Sequence, residues 1–199
     1  KCSCDAGTFY NGASCAPCPA GQYSPRGKAT SCFTCPTGSD SAAGASTCIL
    51  PTPITNTASL QTAVRSYCAD PTLAVLTYGS IETWDTSGVG SMNSLIFTYC
   101  STRASFNADL SAWETGSVTD MFGMFDAASV FNQDIGSWNV GRVTNMGNMF
   151  KSTLAFDQNI DAWNVGQVTD TSGMFWNATA FNQDLGSWDV DLAAVTRDM

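Results

Sequence analysis

The sequence predicts an α/β solenoid of short parallel strands and short helices, with a small disulfide-rich module at its N-terminus. Three observations predict it. A 25-residue unit opening Phe-Asn/Asp-x-Asp/Asn-Leu/Ile-x-x-Trp recurs from Phe106, Phe131, Phe156 and Phe181 without drift. A fixed period in this range marks units that bury an apolar face only by stacking on their neighbours. Within each unit the apolar residues pass from strand-like to helix-like spacing. Finally, seven of the nine cysteines lie among the first 48 residues, where large apolar residues are scarce.

Residues 1–48 write Cys-x-x-Gly three times, from Cys4, Cys18 and Cys35, and Cys15, Cys32 and Cys48 close the three copies. The simplest pairing is Cys4–Cys15, Cys18–Cys32 and Cys35–Cys48, each bridge contributing roughly 3 kcal/mol. Spacing does not prove that connectivity. Zinc on the two Cys-x-x-Cys pairs is the rival, opposed by Pro19, Pro36 and the lack of histidine. Cys2 is left over, and by the same rhythm it closes a preceding lobe. Residues 49–57 read as an extended linker, since Pro51 and Pro53 disfavour helix and the threonines offer O-glycan sites.

Residues 58–71 read as an N-terminal capping helix. Leu60, Val64 and Tyr67 fall at helical spacing, Ser59 suits the N-cap, and Asp70-Pro71 is a stop. A helix before a repeat array covers the open face of the first unit. Residues 72–199 read as the solenoid, about five rungs with the last incomplete. Its first copy, 72–105, is degenerate: Ile81 and Trp84 match the later Ile and Trp, and Met92, Leu95 and Ile96 match Met-x-x-Met-Phe. Cys68 and Cys100 are expected to pair, tying cap to first rung; two buried thiols are the alternative.

Within 131–155, Phe131 and Ile135 share a strand parity that Trp138 does not. One continuous strand therefore cannot bury all three. A short strand near Gln133–Ser137 is expected, with a turn at Gly136-Ser137. Val143, Met146, Met149 and Phe150 recur at three- and four-residue steps, which predicts a short helix with Thr144 as N-cap. A strand, a bend and a helix per unit give a right-handed parallel coil.

Two resemblances follow. The pattern Cys-x-x-Cys-Pro-x-Gly-x-Tyr-Ser…Cys-x-x-Cys-Pro resembles the ephrin-receptor-like cysteine-rich modules of extracellular proteins, which act as spacers and interaction modules. The pattern Phe-Asn-Gln-Asp-Ile-x-x-Trp-Asn-Val-x-x-Val-Thr-Asn-Met-x-x-Met-Phe resembles the BspA-type leucine-rich repeats of microbial surface proteins. That likeness implies a leucine-rich-repeat-like solenoid on a secreted or surface-anchored protein, and adhesion in some members. The pairing of the two modules resembles proteins of unicellular eukaryotes. Thr171 departs from the pattern, since it replaces the first Met of Val-x-x-Met.

Few positions point to chemistry. The Trp, Phe and Met rows read as core, each side chain contributing about 1.5–3 kcal/mol on burial. Trp176 differs, because the equivalent residues are Asp126 and Lys151; it is expected to be exposed and to be a contact residue. Asp109, Asp134, Asn159 and Asp184 share one row. Carboxylates one strand spacing apart repel by about 3 kcal/mol at an effective dielectric near 20. Hydrogen bonds to backbone N–H groups relieve that, and calcium on Asp109, Asp134 and Asp184 is the functional alternative. Asn107, Asn132, Asp157 and Asn182 fit an amide ladder. Asn177-Ala-Thr179 is the one N-x-S/T sequon and a candidate glycosylation site.

Composition narrows the rest. Eight Lys and Arg against seventeen Asp and Glu, a net charge of −9, disfavour nucleic acid and anionic membrane surfaces. The chain has no histidine and two glutamates, Glu82 and Glu114, so no enzyme is expected and no resident cofactor. Its cysteines point to an oxidising compartment, hence the cell surface or exterior. The expected role is a structural or interaction protein, a segment of a surface rod or fibre acting in assembly or adhesion; a glycan- or protein-binding surface is the alternative. Expected partners are other protein subunits, including copies of the chain head to tail, and glycans. Cys2 and the copy begun at Phe181 lead to the expectation that the chain continues at both ends or that another subunit covers them.

Overall fold

The computed structural model describes residues 8–10, 15–23, 32–34, 43 and 52–189. The chain falls into two compact units, one of Lys1–Thr52 with Thr72–Gly79, the other of Pro53–Pro71 with Ser80–Met199.

In the first unit, β1 (Thr8–Tyr10) pairs antiparallel with β2 (Cys15–Pro17), and β3 (Gln22–Tyr23) with β4 (Phe33–Thr34). Cys18 and Cys32 are joined, their Cα atoms 5.7 Å apart. Two-residue and three-residue ladders cannot carry a core, so a covalent cross-link substitutes for one. Cys15 is also disulfide-bonded. Its expected partner Cys4, the pair Cys35–Cys48 and Cys2 lie outside the described residues. A helix, α2 (Pro71–Tyr78), stands where the sequence suggested the start of the first repeat. Proline suits a first helical turn, whose N–H needs no partner. Gly79, at φ 78°, ends the helix in the left-handed region, and its N–H donates to Val75 O at 2.9 Å. Thr72–Gly79 group with the first unit, although the sequence reading begins the solenoid at residue 72.

The second unit opens with α1 (Thr57–Ala69). Its N-cap is Asn56 rather than Ser59. Asn56 Oδ1 accepts from Ser59 N at 3.0 Å, while Ser59 Oγ accepts from Asn56 N at 3.1 Å. Ser59 is thus the returning half of a reciprocal cap. Leu60, Ala63, Val64 and Cys68 are buried. Tyr67 sets its ring edge-on to Trp84 at 6.3 Å and to Phe106 at 6.2 Å, so α1 closes the aromatic rows that begin there. Cys68 is joined to Cys100, Cα–Cα 5.1 Å, at the C-cap of α3 (Leu95–Tyr99).

From Phe106 to Asp189 successive copies lie against one another at 25-residue steps, but by a different construction from a strand and a helix. No strand forms at Gln133–Ser137 and no helix from Val143 to Phe150. In the stretch read as helix, alternate N–H groups leave the copy. Met146, Asn148, Phe150 and Ser152 donate to the carbonyls of Asp170, Ser172, Met174 and Trp176, at 2.8–2.9 Å. The intervening Met149 and Lys151 donate back three residues, to Met146 and Asn148, at 3.1 Å. Successive three-residue turns mimic a helical stripe in apolar spacing. Asn148 and Ser152, both at φ 55°, break the continuous right-handed backbone that a helix requires. Thr144 is no N-cap: its N–H and hydroxyl both donate to Thr119 O, at 2.9 and 3.1 Å.

Among the described residues a parallel pairing runs Ser91, Asp120, Asn145, Asp170. In the stretch read as strand, side chains replace the backbone ladder. Asn132 N donates to Asn107 Oδ1 at 2.9 Å, Asp157 N to Asn132 Oδ1 at 3.0 Å and Asn182 N to Asp157 Oδ1 at 2.9 Å.

The interior is rows of rings. Phe106, Phe131, Phe156 and Phe181 stack at 5.9–6.2 Å, and Phe125, Phe150 and Phe175 at 5.7 Å. The two rows face each other at 4.0 Å through Phe125–Phe131 and Phe150–Phe156. Trp113, Trp138, Trp163 and Trp188 donate Nε1–H into the preceding copy, Trp138 to Leu110 O at 3.0 Å and Trp163 to Ile135 O at 3.1 Å. A buried indole is thereby satisfied.

Candidate interaction face

The corners of each copy are side-chain turns. Within 131–155, Asp134 accepts from Gly136 N, Asn139 from Gly141 N and Asn145 from Gly147 N, at 2.9–3.2 Å. A short carboxylate or amide bonding two residues ahead is a local turn that competes with regular structure. This is where the structure places the calcium candidates. Asp109 and Asp184 make the same bond, to Ser111 N and Gly186 N at 2.9 Å. The Ser111 N–H holds the Asp109 carboxyl below the usual range. One oxygen of each carboxylate in the row is therefore taken up by its own backbone. Among the described residues no three Asp, Glu, His or Cys side chains cluster at metal-binding distance.

Hollows on this unit include one beside that row and one at the end of α1. One, of 580 Å³, is lined by Asp134, Asn159, Asp161 and Ser187 among others. Asp161 Oδ1 accepts from Ser187 N at 3.1 Å, and Asn159 Oδ1 from Asp161 N at 3.0 Å. Its polar groups thus pair with the chain itself. The other, of 320 Å³, lies at the end of α1 against Tyr67, Thr102, Ser105 and Phe106. Burial, with Glu82 nearby, pushes the Tyr67 phenol above its ordinary value, so it stays a neutral donor.

A different row reaches solvent. The 29-residue step that carries Met92 onto Met121 carries Phe97 onto Asp126, and 25-residue steps continue to Lys151 and Trp176. Trp176 is 53 % exposed, and Lys151 Nζ lies 5.4 Å from its ring centre. Phe97 is 40 % exposed, with Arg103 Cζ 5.0 Å from its ring. Between the two aromatics, burial raises the Asp126 carboxyl, against the pull of Lys151 and Arg103. Trp176 was legible from its polar equivalents. Phe97 was missed, although the alignment of Ile96 with Phe125 places it one residue on. Val130 and Leu154 are also exposed. The sequon residues Asn177 and Thr179 lie at the surface beside Trp176.

These features define a class: a stacked-repeat unit with side-chain turns at its corners and two exposed rings, Phe97 and Trp176, at the ends of one row, in a chain that also carries a cysteine-rich module. The chain belongs to the family described as Mycoplasma protein of unknown function, DUF285, whose model matches residues 96–199. Residues 7–50 match a second model, tyrosine-protein kinase ephrin type A/B receptor-like. No curated protein and no solved structure matches the chain. Disulfides together with a receptor-like module are features of surface and extracellular proteins. No helix among the described residues is long and apolar enough to cross a membrane.

Proposed function

We propose that this chain is a non-catalytic segment of an extracellular or cell-surface rod or fibre, acting in assembly or adhesion. In this reading the repeats are of the BspA leucine-rich type and form a solenoid, and the cysteine-rich module is the joint between rods. The observation that carries it is the continuous register. Backbone bonds, ring stacks and side-chain ladders recur at 25-residue steps, so each copy presents the surface its neighbour needs. Such an array has no intrinsic length, and copies joined head to tail make an open filament. Electron microscopy of the native material tests it. Filaments or elongated rods are expected; monodisperse compact particles refute it.

A second reading has one observation in its favour, the exposed rings Phe97 and Trp176 at the two ends of one row. Exposed aromatics beside cations fit a protein or glycan ligand. Glycan-array or pull-down binding that is lost on Trp176→Ala, with melting unchanged, supports this reading over assembly alone.

A further inference from the structure

We propose that Asn177 carries an N-linked glycan whose first sugar lies against the Trp176 indole. This goes beyond the rod reading and competes with the ligand reading, since the exposed ring is then covered by the chain's own modification. Asn177-Ala-Thr179 is the one sequon in the chain, and both Asn177 and Thr179 are exposed while Ala178 between them is buried. The left-handed backbone favours an asparagine without requiring one. Asn177 has φ 59°, but Ala127 and Ser152 adopt the same left-handed conformation at the equivalent positions, with φ 59° and 55°. Its side chain is free to react: the Nδ2 amide makes one exposed contact, to Ser152 Oγ at 3.3 Å.

The core does not explain the tryptophan. Asp126 and Lys151 fill the same step in the preceding copies. Trp176 is 53 % exposed, whereas Trp84, Trp113, Trp138, Trp163 and Trp188 are 3–9 % exposed. One ring face is approached by the Lys151 ammonium. The other suits the apolar C–H face of a sugar held next to it by Asn177.

The modification is a glycosyl transfer from a lipid-pyrophosphate-linked oligosaccharide. The Nδ2–C1 bond forms, the C1–O bond to pyrophosphate breaks, the lipid pyrophosphate leaves with that electron pair, and Nδ2 loses one proton. Nothing is oxidised or reduced.

The experiment uses the native full chain. Mass spectrometry of the peptide containing Asn177 is read before and after enzymatic deglycosylation, which converts a glycosylated asparagine to aspartate. A glycan mass on the native peptide is expected, retained in Thr179→Ser and lost in Thr179→Ala. An unmodified native Asn177 overturns the proposal. Acrylamide quenching of tryptophan fluorescence then reads the contact, because a single indole of the six is exposed. Deglycosylation is expected to raise the quenchable fraction several-fold in the wild type and to change nothing in Trp176→Lys. A glycosylated protein whose quenching ignores the glycan overturns the sugar–indole contact. Neither failure touches the rod reading, which microscopy decides.

Discussion

Replacing Trp138 and Trp176 separately by alanine compares two tryptophans in unlike settings. Trp138 is 4 % exposed, its ring lies parallel to that of Trp163 at 6.5 Å, and it also packs on Phe125 at 6.1 Å. Truncation removes a ring that neighbours cannot replace, and a cavity of this kind costs about 3–5 kcal/mol. It also removes the Nε1–H bond to Leu110 O, which keeps the Trp113 N–H at 3.1 Å and so is not left without a donor. Trp176 has half its surface in water and one ring contact, to Lys151. Its loss costs less than about 1 kcal/mol, the value of an exposed cation–π pair. For a chain of this length each kcal/mol moves the melting temperature by about 2–4 °C. Trp138→Ala should therefore melt at least about 6 °C below wild type and Trp176→Ala within about 4 °C of it. Thermal unfolding followed by near-ultraviolet circular dichroism reads both, and Trp138→Phe separates lost volume from the lost hydrogen bond. Equal melting temperatures for the two alanine variants refute the row assignment.

Three further outcomes are expected. Asp157 accepts hydrogen bonds from Gln183 and Asn182, which hold its carboxyl below the usual range. A depressed folded pKa adds stability above the unfolded pKa, and that stability is lost as pH falls through the folded value. Asp157→Asn, which matches Asn132 and Asn182, should equal wild type at neutral pH and lose less stability below about pH 4 in denaturant titrations; parallel losses refute it. Thr171 is fully buried and its Oγ1 has no hydrogen-bond partner, so Thr171→Val should gain about 1–2 kcal/mol, and a loss in urea unfolding contradicts that environment. Cys68 and Cys100 close a 32-residue separation, for which chain entropy gives about 4 kcal/mol. The double alanine variant should lose most of that, and peptide mapping without reduction should recover the two cysteines joined; alkylation of native Cys68 refutes the bridge.

What was legible in the sequence is what repeats. The rows of Trp, Phe and Met could be read because side chains stacked at one step must agree in size and polarity, and Trp176 stood out against Asp126 and Lys151. The backbone path was harder to read. Val143, Met146, Met149 and Phe150 suit a helix and suit a run of three-residue turns equally well. The deciding signal was present in Asp134-Ile-Gly136, Asn139-Val-Gly141 and Asn145-Met-Gly147, three side-chain turns in one copy, each with glycine supplying the N–H. Helix α2 escaped because its apolar residues show no helical stripe; Ala74 alone is buried. Phe97 escaped because the first copy is four residues longer, which hides its alignment.

That longer first copy bears on how a gene of this kind can change length. Its extra residues fall between Phe97 and Phe106, where α3 and a short turn at Arg103–Ser105 take up the chain. There Thr98 N donates within its own helix, to Ser94 O, whereas Ala127 N at the later step reaches Lys151 O in the next copy. An insertion at that corner gives up that one outgoing bond and keeps those of Met92, Ser94 and Ile96 to the next copy. The same insertion inside Met146–Ser152 exchanges every outgoing N–H for a returning one and moves the left-handed positions off Asn148 and Ser152. Loss or duplication of one whole copy leaves each remaining residue opposite a residue of its own kind. Tandem recombination in whole units is therefore the mutational path along which such a chain lengthens or shortens and still folds, while small frame-preserving indels survive at the corners alone.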